Sequence, residues 1–283
     1  MTTPPRLDLT RLADLATNRG ADPEGIRQDV LGFITRAILA HPRSRQVELG
    51  PSELGHPCQR WLAYRLAGTP ETGRQRPPWR QAVGTKVHDG FTDWALDANE
   101  PLDQPRWLAD LKVTVGELLP GRPITGRLDL LDLATATVVD LKVAGPNQMR
   151  LHSSGARGEN EQYRKQVHLY GRGVVNAGLP VDNVAILRLP AAGELAENLW
   201  HCEPYDDQLA TDALRRAGAV AALVAAVGAD AAGVLPTTDH FCHRCPYFDP
   251  GSTNLAAGCP GDAGRAALQR PDPLTQLVGA RTP

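Results

Sequence analysis

The sequence predicts an α/β fold: a central mixed sheet flanked by helices, with a helical region before it and a cysteine-bearing tail after it. Two observations carry this expectation. Helical segments come first, followed by three strands, a helix, two more strands and a long helix, an order that suits a mixed sheet covered by helices. Between Gly126 and Val143, two apolar strands flank a short Ala/Thr turn, which reads as a hairpin.

In chain order, residues 1–50 form a peripheral helical extension, with Ile26, Val30, Phe33, Ile34 and Ile38 as one apolar stripe. A second helix begins at Pro51 and runs through Trp61, Tyr64 and Leu66. A polar loop follows from Gly68 to Pro78. A third helix is expected from Trp79 to Leu96. Strands follow at 111–115, 124–131 and 138–143, then a helix over 159–177 that ends at Gly178. Strands at 184–189 and 199–203 precede an amphipathic helix over 206–227. The expected organisation is an extension over 1–50, a core over 51–235, a cysteine-rich tail over 236–262 and a disordered end over 263–283.

The most informative segment is Gly126–Val143. A hairpin centred near Ala134–Thr135 places Asp129 opposite Asp140, with Lys142 on the same face and Asp132 facing away. Two carboxylates and an ammonium on one face are poorly explained by packing, and a divalent cation is their natural counter-charge. The alternative is an exposed hairpin with a solvated Asp–Lys pair. His88, closing Gly84–His88, could complete a manganese-type site with the two carboxylates. Gln166 and Tyr170, four apart on one helix, share a face able to hold a phosphate or a base edge, unless Tyr170 is core and Gln166 solvent-facing.

Cys242 and Cys245 form a C-x-x-C, and Cys259 follows. Three tail cysteines need a fourth ligand for a tetrahedral or cubane centre. Cys58 is one candidate; His240 or His243 would serve zinc, and Cys202 reads as a core residue on a strand.

The 283 residues carry a net charge of -2 and 42% hydrophobic residues, so any nucleic-acid site must be a local patch. Basic segments at 56–88 and 142–172 bracket the Asp/Lys motif, as a phosphate-tracking groove requires. The apolar run Ala217–Val227 is too short and Ala-rich to span a bilayer, and the N-terminus lacks the apolar core of a signal peptide. A cytoplasmic protein without membrane association is expected. In a reducing compartment its five cysteines suggest metal ligation or free thiols.

Together these motifs resemble the RecB-like exonuclease branch of the PD-(D/E)xK nuclease superfamily, in particular its CRISPR-associated and bacteriophage iron–sulfur members. The resemblance runs from Ser52 to Gly261: Cys58 with Arg60, Trp61 and Tyr64, then Gly84–His88, Gly126–Asp129, Asp140–Lys142, Gln166–Tyr170 and the tail cysteines. The longer gap before Cys259 is a departure from the compact members. The resemblance implies a magnesium- or manganese-dependent DNA exonuclease. His88, Asp129, Asp140 and the carbonyl of Leu141 would hold the ion, and Lys142 would orient the attacking water or stabilise developing charge. It implies a 4Fe-4S cluster on Cys58, Cys242, Cys245 and Cys259, in preference to zinc. Gln166, Tyr170, Arg60 and Lys165 would contact DNA, either single strands or duplex ends. No G-x-x-x-x-G-K-[ST] phosphate loop is present, so unwinding would come from a helicase or recombination partner. A non-catalytic DNA-binding or assembly module on the same fold and a zinc-stapled nuclease are the alternatives.

Overall fold

The computed structural model describes residues 22–40, 49–71, 79–154, 159–238, 242 and 245–262. His240, His243 and the 263–283 tail lie outside these residues. The chain falls into two compact units, one of Met1–Gln46 and Arg76–Ala82, the other of Val47–Gln75 and Val83–Pro283.

In the first unit, helix α1 (Pro23–Ala40) carries the expected apolar stripe, yet none of its residues is buried. Phe33 is 64% exposed.

In the second unit, the single helix expected from Pro51 to Leu66 is instead two: α2 (Pro51–Leu54) and α3 (Gln59–Ala67). Pro57 explains the break, since it lacks an amide proton and keeps its predecessor out of the helical region. Cys58 restarts the helix as its N-cap, its sulfur accepting from Trp61 N at 3.4 Å. Gly68 closes α3 in the left-handed conformation (φ 65°) that glycine adopts without strain. Helix α4 spans Trp79–Asn99, its residues from Val83 onward belonging to this unit.

Strands β1 (Trp107–Leu119), β2 (Arg122–Asp132), β3 (Thr137–Ala144), β4 (Asn183–Pro190) and β5 (Leu199–Pro204) form one five-stranded sheet in that spatial order. All neighbours are antiparallel except β3 and β4, which are parallel. The connection between those two holds α5 (Pro146–Ser153) and α6 (Glu161–Asn176). The sequence reading missed α5, although Gly145 followed by proline at the first helical position is a start signal.

Alternation along the strands supplies both faces. Leu130, Val139, Leu141 and Ala185 pack with Phe91 and Ala95 of α4. The larger core gathers Val138, Val184 and Ile186 with Leu62 of α3 and Val167 of α6. It is completed by α7 (Asp207–Val227), whose Ala210, Ala213 and Ala217 allow close approach. The stretch Asp207–Gly233 is long and apolar enough to cross a membrane by length and composition alone. Here its alanine face is packed into the core.

Cys202, expected in the core, is exposed. It lies on edge strand β5, where alternate residues face outward. Asp132 keeps its expected face. It does face away from Asp129 and Asp140, but it is 6% exposed and takes both Arg106 donors at 2.9 Å, along with Ala134 N and the Thr135 hydroxyl. It ties the β2–β3 turn to the chain entering β1. These bonds, Arg106 first, hold its carboxyl below the usual range.

Candidate functional site

Strands β2 and β3 pair over Leu130↔Val139, Leu131↔Val138 and Asp132↔Thr137. One step beyond this ladder, in the same register, stand Asp129 and Asp140. There β3 continues along β4 instead, with Asp140↔Ile186 and Lys142↔Arg188 as partners. The carboxylate of Asp129 takes over where the ladder ends: its Oδ2 accepts from Leu141 N at 2.7 Å. Its Oδ1 lies 2.7 Å from His88 Nδ1, delivered by α4.

Asp140 is 1% exposed and projects toward α6. Gln166, also buried, donates from Nε2 to Asp140 Oδ1 at 2.9 Å and accepts from Lys142 Nζ at 3.1 Å. One amide therefore bridges the two ends of an ion pair whose Nζ–Oδ2 distance is 2.7 Å. Despite that contact, Asp140 Oδ2 has no hydrogen-bond donor in alignment. Burial, the largest influence, pushes the Asp140 carboxyl up to about 6, with Lys142 opposing the rise and Asp129 adding to it. Burial pulls the Lys142 ammonium down, but Asp140 and Asp129 outweigh it and Lys142 titrates above the ordinary lysine range.

Gly126 is explained by packing, since a Cβ there would stand 2.7 Å from Pro51 Cδ and 2.9 Å from Tyr170 Cε1. A Cβ on Gly84 would meet no atom within 4 Å.

Two groups escaped the sequence reading. The Tyr163 ring lies 4.8 Å from Lys142 Nζ and 5.8 Å from the Arg188 guanidinium. Arg188, 4% exposed, forms a two-bond ion pair with Glu159. The parallel β3–β4 register that sets Arg188 beside Lys142 is a long-range fact with no local signature.

The expected DNA contacts divide. Tyr170 is 7% exposed and belongs to the core, and Gln166 is committed to Asp140 and Lys142. Arg60 is wholly buried, which corrects its assignment to DNA. Lys165 is half-buried without an ion-pair partner among the described residues. Burial, then Arg216, lowers its ammonium below the ordinary range.

The cysteines come together as well. Cys58, Cys242, Cys245 and Cys259 line one cavity with His56 and Trp61. The Cys259 segment returns beside Tyr247, with Cys259 N donating to Tyr247 O at 2.8 Å, so the long gap is absorbed by a turn. Tyr64 anchors that turn through Leu255 O at 2.6 Å. Burial pushes the Cys245 thiol up to about 11, and Cys58 and Cys259 add to the rise. Among the described residues, no three His, Cys, Asp or Glu side chains are already drawn into metal-holding geometry. At the sheet fork the donors rest on one another instead.

No family model matches the chain. No curated protein matches it either. Solved structures do. The crystal structure of SSO0001 aligns at TM-score 0.50 and 14% identity, covering 78% of this chain and 95% of that one. An alkaline exonuclease, LHK-Exo from Laribacter hongkongensis, aligns at TM-score 0.45 and 12% identity, over 65% and 91% of the two chains. A phage-related exonuclease from Haemophilus somnus 129PT aligns at 0.34 and 12% identity, over 58% and 76%. At 14% identity the likeness to SSO0001 bears on fold alone.

Proposed function

We propose that the chain is a divalent-metal-dependent deoxyribonuclease of the PD-(D/E)xK type, acting as an exonuclease on single strands or duplex ends. The observation that carries the reading is the meeting of His88, Asp129, Asp140 and Lys142 where β3 leaves β2. An imidazole, two carboxylates and a carbonyl form a donor set suited to magnesium or manganese, and the buried Asp140 Oδ2 lacks an aligned donor. His88, Asp129, Asp140 and the Leu141 carbonyl would hold the ion. Such an ion, when bound, polarises a phosphoryl oxygen and lowers the pKa of water.

The chain's own residues do the rest. Lys142 keeps its charge and offers an ammonium to the oxygen on which negative charge develops. Gln166 fixes that ammonium against Asp140, so its effect on the DNA strand is indirect. Tyr170 acts through the packing beneath Gly126, and Lys165 is left as the direct phosphate contact. The four cysteines that line the cavity would hold a 4Fe-4S cluster tying α3 to the tail, and a reducing cytoplasm suits such a centre. Recombination, repair or phage and CRISPR DNA processing would use such an enzyme, with strand separation coming from a helicase or recombination partner.

End-labelled single-stranded and duplex DNA, incubated with magnesium, manganese or EDTA, tests the reading. Metal-dependent release of nucleotides, abolished in a folded Asp140→Ala protein, is expected. Undiminished cleavage by that variant would sink the assignment. DNA binding without cleavage would make the chain a non-catalytic module, and stoichiometric zinc would make the cysteine centre a zinc clip.

A further inference from the structure

Arg60 is 0% exposed and forms no ion pair with any carboxylate among the described residues. Its Nη2 donates to Leu235 O at 3.2 Å, its Nε has no hydrogen-bond partner among the described residues, and its Nη1 points at Cys259 Sγ, 3.4 Å away. A guanidinium is always charged, and a buried charge without a counter-charge is strongly disfavoured. A neutral thiol is a weak acceptor and supplies no charge. A metal-bound thiolate supplies both. Four thiolates around a divalent ion or a 4Fe-4S core leave the centre net negative.

We propose that Arg60 is the internal counter-ion of an anionic all-cysteine metal centre. This rests on the reading of the cysteine cavity as a metal site. Arg60 sits two residues after Cys58 and donates to the sulfur of Cys259 in the cavity wall, so one side chain links both ends of the loop that the metal closes. Its hydrogen bond steadies the Cys259 sulfur, and its charge favours the more reduced, more negative state of a redox-active centre.

The test compares the full-length protein with Arg60→Met and Arg60→Lys after anaerobic purification. Iron, sulfide and zinc are counted, metal release to a chelator is timed, and the reduction potential is measured where iron is bound. Arg60→Met is expected to release metal at least tenfold faster and, when iron-loaded, to have a lower potential. Arg60→Lys, which keeps the charge but not the planar fork, is expected to recover part of both. A metal-loaded Arg60→Met protein with parental release rate and potential would overturn the counter-ion role alone. A parent isolated without stoichiometric metal would overturn the cysteine centre and the counter-ion with it.

Discussion

Among the described residues, Lys142 meets Asp140, Gln166 and the face of Tyr163. If its ammonium meets charge that exists only in the transition state, Lys142→Ala lowers turnover more than DNA affinity, by on the order of 3 kcal/mol of barrier. Steady-state kinetics beside equilibrium binding check this. A loss confined to binding would make Lys142 an ordinary phosphate contact. Asp132 makes the opposite case. Asp132→Ala strips Arg106 of both its acceptor oxygens and leaves the turn uncapped, so stability falls by about 1–3 kcal/mol while cleavage by the folded fraction is unchanged. Denaturant unfolding reads the loss. Sequence alternation put Asp132 on the correct face but gave no sign of Arg106, which is brought in from the strand start before β1.

At the scale of elements, the glycine of the β2 motif has a packing reason. Gly126→Ala forces α2 and α6 away from the strand, because the new methyl would meet Pro51 and Tyr170 within 3 Å. A loss of about 1–3 kcal/mol is expected. Thermal unfolding of the variant at parental values would show that α2 shifts freely. The β2–β3 turn offers the converse. Ala136 holds a φ of 46°, a conformation that costs an alanine about 1 kcal/mol and an asparagine less. Ala136→Asn is therefore expected to raise the melting temperature. The strands, the hairpin centre and the helices α6 and α7 were legible because their apolar periods are local. The break between α2 and α3 was signalled by Pro57 but overridden by the apolar run around it, and α5 was hidden by its polar composition.

Across the whole molecule, α6, β5 and the start of α7 are joined by one buried imidazole. His168, 0% exposed, accepts from Asp206 N at Nδ1 (3.1 Å) and so carries its proton at Nε2, facing Glu203. Burial, the dominant influence, lowers it from 6.5 despite Glu203. The folded state thus resists the proton that the unfolded chain takes up, so the stability contributed by His168 is full above about pH 6.5 and declines as pH falls. Glu203, held at about 2 chiefly by Arg164 and below its ordinary 4.5, adds a second decline at lower pH. The melting temperature should fall more steeply between pH 8 and 5 in the parent than in His168→Gln. Equal slopes would remove His168 from the account.

The sequence by itself determined the succession of strands along the chain and the register that sets Asp129 beside Asp140. These follow from two-residue and 3.6-residue periods and from motif order, which neighbouring residues dictate. Only the tertiary structure decided which polar groups are buried. Arg60 and Gln166 read as surface contacts, yet both lie inside, one against a sulfur and the other bridging an ion pair. Lys142 and Arg188 stand side by side against Tyr163 only because β3 and β4 run parallel across the α5–α6 crossover. Burial and parallel pairing are set by contacts far apart in the chain, and no local pattern of residues carries them.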